Sequence, residues 1–120
     1  MNIWQANVVW AYAMRATAAS YLLFGLGPYP TLDLTAAEVF AISQGAASLP
    51  GRWSAISQCT NDGITYAGLI DPAGNGRVAV LIARDIEGLY VARVSGEVVA
   101  RGCANVTDAL TAVRWLLRQA

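Results

Sequence analysis

Histidine and lysine are both missing from this chain, and charge of either sign is scarce. Without histidine, the side chain that titrates nearest neutrality and the commonest metal ligand are gone together. General acid–base catalysis and a histidine-based metal centre therefore lose their usual agents. Charged residues make up 13% of the chain, where a globular domain ordinarily has roughly 25%. All eight basic residues are arginine (Arg15, Arg52, Arg77, Arg84, Arg93, Arg101, Arg114 and Arg118), and eight acidic residues balance them to a net charge of zero. A chain with no net positive charge is not built to hold phosphate backbones by counterion release, so nucleic acid is not an expected partner. Arginine is still the better bidentate donor, which leaves a local anion site open. Cys59 and Cys103 are too few for a disulfide framework and lack metal-ligand spacing. They read as two reduced thiols or as a single bridge between strand ends.

What is present is apolar. Hydrophobic residues make up 56% of 120 positions, a composition that excludes disorder and a length that fits one domain. Either much of the chain is buried, or a second subunit covers part of its apolar surface. The expected layout is a helical part over 1–50, an antiparallel sheet over 51–104 and a closing helix over 105–120. The first residues are apolar enough to resemble a targeting segment, but they have no basic n-region and Arg15 interrupts the run. A central arginine costs a membrane span about 3 kcal/mol. The segment therefore reads as a cytoplasmic helix, with no membrane partner.

Residues 3–24 have helical periodicity. Ile3, Trp10, Met14, Thr17 and Tyr21 fall on one arc, flanked by Ala6, Ala13 and Phe24. The other side carries Trp4, Val8, Tyr12, Ala16, Ala19 and Leu22, with Arg15 its only charge. A helix apolar all round is buried all round. One sheet and two short helices offer little to cover both sides, so a homodimer through Trp4, Val8, Tyr12, Ala16 and Ala19 is expected. The alternative is that the other two helices sandwich it within one chain.

Gly25, Gly27, Pro28 and Pro30 stop that helix. Thr35 and Glu38 then form a capping-box pair opening a second helix to about residue 47, with Val39, Ile42, Ala46 and Leu49 inward. After Pro50 and Gly51 the period changes to two. Strands are expected at 52–58, 64–70, 77–84, 89–94 and 97–102, separated by turn-forming clusters of Asn, Asp, Gly and Ser. Connections this short permit only antiparallel neighbours. The run Val78 to Ala83 is apolar on both faces and belongs at the centre of the sheet. Asn105 opens the last helix, which turns Val106, Leu110, Val113 and Leu117 to the core. The expected fold class is thus α+β: two helices, a five-stranded antiparallel meander and a C-terminal helix packed on the sheet. The stretch from Gly88 to Leu117 resembles a pattern common in small phage and plasmid proteins, a likeness that carries no functional motif.

Catalytic motifs are wanting. There is no phosphate-binding glycine loop and no nucleophile elbow. The stretch from Asp71 to Gly76 lacks the alternating oxygen ligands and terminal glutamate of a calcium loop. No metal, no cofactor and no enzymatic activity is expected. Two binding surfaces are. If the turn at residues 85–88 sets Arg84 opposite Tyr90, and a two-residue Ser95–Gly96 turn sets Tyr90 opposite Arg101, one sheet face carries an Arg84–Tyr90–Arg101 row. Such a row suits a carboxylate or a phosphate. A one-residue slip would move Arg84 to the other face. The second surface is Trp115, which lies opposite the core stripe of the last helix beside Thr111 and Arg118, the composition of an interface hot spot. It could instead lie beneath the N-terminal helix. The leading expectation is a non-enzymatic, self-associating protein-interaction module. The alternatives are a phage or mobile-element inhibitor of a host defence system, of the anti-CRISPR kind, and a small anion-binding domain or enzyme built on the arginine–tyrosine row.

Overall fold

A computed structural model describes residues 30–119. The helix expected over 3–24, and with it the dimer surface of Trp4, Val8, Tyr12, Ala16 and Ala19, lies outside the described residues. Within them the order is α1 (Ala36–Ala47), β1 (Ser54–Cys59), β2 (Thr65–Ile70), β3 (Val78–Asp85), β4 (Gly88–Arg93), β5 (Val98–Cys103) and α2 (Val106–Arg118). The strands form one antiparallel sheet in the order β1-β2-β3-β4-β5. The class is α+β, and of the two helices expected ahead of the sheet one is described.

Helix α1 starts where Thr35 and Glu38 satisfy each other. The Thr35 hydroxyl accepts from the Glu38 amide at 3.1 Å, and the Thr35 amide donates to Glu38 Oε1 at 2.9 Å, so two of the helix's orphan donors are used. It ends at Ser48, after which Gly51 (φ 90°) and Arg52 (φ 57°) turn the chain into β1. Asn105 caps α2 by accepting the Asp108 amide at 2.9 Å.

Alternation along the strands gives the sheet two faces. One carries Ala67, Leu69, Val80, Ile82, Leu89 and Val91, which join Ile42, Ala46, Leu110 and Val113 of the helices in the main core. Both helices lie on this face, α1 over β1 and β2, α2 over β4 and β5, touching each other between. Each fully buried Ile, Leu or Val contributes about 1.5–3 kcal/mol, and Ile82, at the centre of the sheet, is wholly enclosed. Ala83, Tyr90 and Ala92 make a second cluster with Tyr66 and Val98. Strand alternation puts it on the other face.

The chain reaches α1 by a route that has no strand signal. Thr31 and Leu32 donate to the Arg84 carbonyl at 3.1 and 3.3 Å, and Leu34 donates to the Thr65 carbonyl at 3.1 Å. Residues 31–34 thus fill the gap where β2 and β3 part beyond the Ala67–Ile82 pair. Leu34 is buried there. Among the described residues no helix is long and apolar enough to cross a membrane.

Candidate functional site

Arg84, Tyr90 and Arg101 do not form one row. The β3–β4 turn is tight: Asp85 pairs with Gly88, Arg84 with Leu89 and Ala83 with Tyr90. Asp85 Oδ1 fixes that turn by accepting the Glu87 amide at 2.8 Å, as short acidic side chains do in turns. Arg84 therefore shares the helix-bearing face with Leu89, where its guanidinium is ion-paired to Glu38 Oε2. The same carboxylate closes the cap of α1 through its other oxygen, so an anion approaching Arg84 would compete with an internal partner.

Tyr90 and Arg101 stay near each other. Val91 pairs with Ala100, the register expected from the hairpin. The turn is one residue longer than expected, however, because Arg93 donates to the Glu97 carbonyl at 2.8 Å and encloses Val94, Ser95 and Gly96. The register shift between Val91 and Ala92 absorbs the difference, and a second, between Leu89 and Val91, moves the pairing one residue further, setting Leu89 opposite Cys103. Arg101 reaches Asp85 Oδ2 at 3.4 Å and Glu87 Oε2 at 3.5 Å. Its charge is thus balanced locally by two carboxylates.

The phenols beside this cluster are poor acids. Burial pushes Tyr90 well above its ordinary value, Asp85 and Tyr66 push the same way, and Arg101 opposes them. Burial, then Cys59, pushes Tyr66 up to about 12. Both are neutral near pH 7, far from the poise a general acid or base requires. Cys103 is raised by burial and by Asp108, which keeps its thiol protonated and a weak nucleophile. Both cysteines are free. Among the described residues no three of His, Cys, Asp and Glu gather as metal ligands.

The outer surfaces of the helices are the remaining candidate. Helix α2 directs Ala109, Leu110, Val113 and Leu116 inward and leaves Trp115 55% exposed. Thr111, one turn back, and Arg118, one turn on, are exposed on the same stripe. On α1, Phe40 is 65% exposed. Sequence reading passed over Phe40, although its position was legible: two residues before the buried Ile42, it must point nearly opposite on a 3.6-residue period. Ala37, Ala41, Gln44 and Ala47 accompany it on the exposed side. Apart from Glu38, which is paired with Arg84, α1 has no charged residue.

Comparison of the chain with models of protein families, with curated proteins and with solved structures gives no match.

Proposed function

We propose that this chain is a non-enzymatic protein-interaction module that self-associates and offers its helical layer to other proteins. The observation that carries the reading is the exposure of a large apolar side chain on each helix, Phe40 at 65% and Trp115 at 55%. Large aromatics surrounded by weakly hydrated residues are what interface hot spots are made of, and leaving them in water has no structural return. The two helices divide the work. Trp115 sits between Thr111 and Arg118, a mixed surface suited to a different protein. Phe40 stands on a helix with no free charge, a surface suited to a like surface.

Sedimentation of the full chain over micromolar concentrations, beside capture of partners by immobilised protein, tests both halves. Self-association is expected in the wild type, and Trp115→Ala is expected to lose a captured partner while keeping its oligomeric state. A strict monomer removes the self-association, and undiminished capture by Trp115→Ala removes the second surface.

A further inference from the structure

The two edges of the sheet are unlike, and the difference concerns how two copies would join. At β5 the edge is defended. Its pairing with β4 is broken by two register shifts, Gly102 sits at φ 66°, and Arg101 is drawn to Asp85 and Glu87. Bulges and edge charges are the devices that keep strands from pairing with strangers. β1 has none of them. Its residues Ser54, Ala55, Ile56, Ser57, Gln58 and Cys59 pair with β2 in an unbroken register, and no charge or proline occurs among them. Ser54, Ile56, Ser57 and Cys59 are exposed.

The backbone groups at this edge can be assigned. Thr60 donates to the Ile64 carbonyl at 3.0 Å, which makes Thr60–Ile64 a hydrogen-bonded pair. Such pairs alternate along an antiparallel ladder, so Gln58, Ile56 and Ser54 bond to β2. Thr65 agrees: its carbonyl accepts from Leu34 and its amide donates to Asp33, both away from β1. Ala55, Ser57 and Cys59 therefore aim their N–H and C=O groups outward at the open edge.

The flank of α1 above this edge is apolar as well. Gly45 packs on Leu110 of α2, and Glu38 reaches Arg84 of β3. These two mark the flank that looks toward the middle of the sheet. Phe40, nearly opposite the buried Ile42, lies about 140° around the helix from Gly45 at 3.6 residues per turn, on the side away from α2 where the outer face turns down toward β1. Ala36, Val39, Ser43 and Ala47 lie there too, all uncharged.

We infer that β1 is the self-association edge, pairing antiparallel with β1 of a second copy about a two-fold axis at Ser57. The inference rests on the self-association reading above and names its interface. In this register Ser57 meets its own counterpart, Ala55 meets Cys59, and Ile56 lies across from Gln58. All three outward-facing residues then find hydrogen-bonding partners, and no like charges meet across the axis. The sheet becomes continuous through both copies, and the two α1 helices flank the seam with Phe40 between them.

Ser57→Pro is the direct test. It removes an N–H that the β2 ladder does not use, and edge strands tolerate proline where the N–H faces solvent. Sedimentation should show the wild-type dimer weakened at least tenfold, with circular dichroism and thermal unfolding still cooperative. Ser57→Lys serves as an independent variant, setting like charges together at the axis, and should do the same. A Cys59→Ser, Ser57→Cys chain should form a disulfide dimer on mild oxidation, because hydrogen-bonded partners stand about 5.5 Å apart at Cα, within disulfide reach. Wild-type Cys59 should not, being about 14 Å from its counterpart in this register. A dimer undiminished in folded Ser57→Pro and Ser57→Lys overturns edge pairing and leaves self-association standing. A wild-type monomer overturns both.

Discussion

Glu38 joins the first turn of α1 to the end of β3, its Oε1 accepting the Thr35 amide at 2.9 Å while its Oε2 pairs with the Arg84 guanidinium. Arg84 carries the tie one step further, since its carbonyl receives the amides of Thr31 and Leu32. One residue pair thus locks the helix start, the central strand and the incoming chain together. The consequence for function is exclusion. The arginine that sequence reading offered to a ligand is engaged inside the fold.

The cap and the ion pair can be separated by mutation. Thr35→Ala should cost about 1 kcal/mol, the usual loss of a threonine cap. Glu38→Ala should cost about 2 kcal/mol, because it removes the return hydrogen bond and leaves a partly buried guanidinium without its carboxylate. Arg84→Met added to Glu38→Ala should then cost little more, giving a coupling of about 1 kcal/mol in a double-mutant cycle read by urea unfolding. Strict additivity would mean that the pair contributes nothing.

The strands were legible because their turns carry their own chemistry. Each observed strand begins and ends within two residues of its expected place, since the Asp, Asn and Gly clusters leave little freedom. The capping box and Asn105 fixed both described helices equally well. Two turns differed from expectation: the β4–β5 turn is one residue longer, and the β3–β4 turn sets Arg84 against Leu89. Whether Arg84 faces Tyr90 or Leu89 depends on how Asp85 and Gly88 bracket the turn, and composition alone does not decide it. Residues 31–34 had no signal, because Leu32 and Leu34 pair with strands distant in sequence. The candidate surface was legible in both halves: Trp115 stood out by its residue type, and the helical period set Phe40 opposite Ile42.

Gly45 inverts the usual rule for glycine in a helix. Replacing such a glycine by alanine ordinarily stabilises by about 1 kcal/mol. Here the added methyl would collide with the Leu110 side chain where α1 meets α2. Gly45→Ala should therefore destabilise, by about 1–3 kcal/mol as overpacking does. Unfolding of Gly45→Ala and of Gly45→Ala with Leu110→Ala checks the cause. The collision predicts that the second change costs less in the alanine background than alone.

Tyr66 and Tyr90 should make the fold sensitive to strong base. Both have folded-state values raised above the ordinary 10.0, Tyr66 to about 12 and Tyr90 well upward, chiefly by burial. The native state therefore holds these protons more tightly than the unfolded chain does. Where the unfolded state binds fewer protons, stability falls as pH rises. The contribution is intact below about pH 10 and declines from there as pH climbs through the Tyr66 value. Tyrosinate absorbance during an alkaline titration should show two late phenols, each removed by its own substitution, Tyr66→Phe or Tyr90→Phe. Early titration of both in the native state would mean that the second sheet face is open to solvent.

Phe40 and Trp115 should separate cleanly from stability. A surface side chain that touches little contributes little to folding, within about 0.5 kcal/mol, so Phe40→Ser and Trp115→Ala should unfold at nearly the wild-type denaturant midpoint. Their effects on association should differ. Phe40 flanks the β1 edge, and Phe40→Ser should weaken self-association in the same direction as Ser57→Pro. Trp115 stands on α2, over the other half of the sheet, and Trp115→Ala should leave self-association as it is while lowering capture of other proteins. A clear loss of stability in either variant would mean that the aromatic is packed within the fold, and a loss of dimer in Trp115→Ala would move the seam from β1 to the far side of the helical layer.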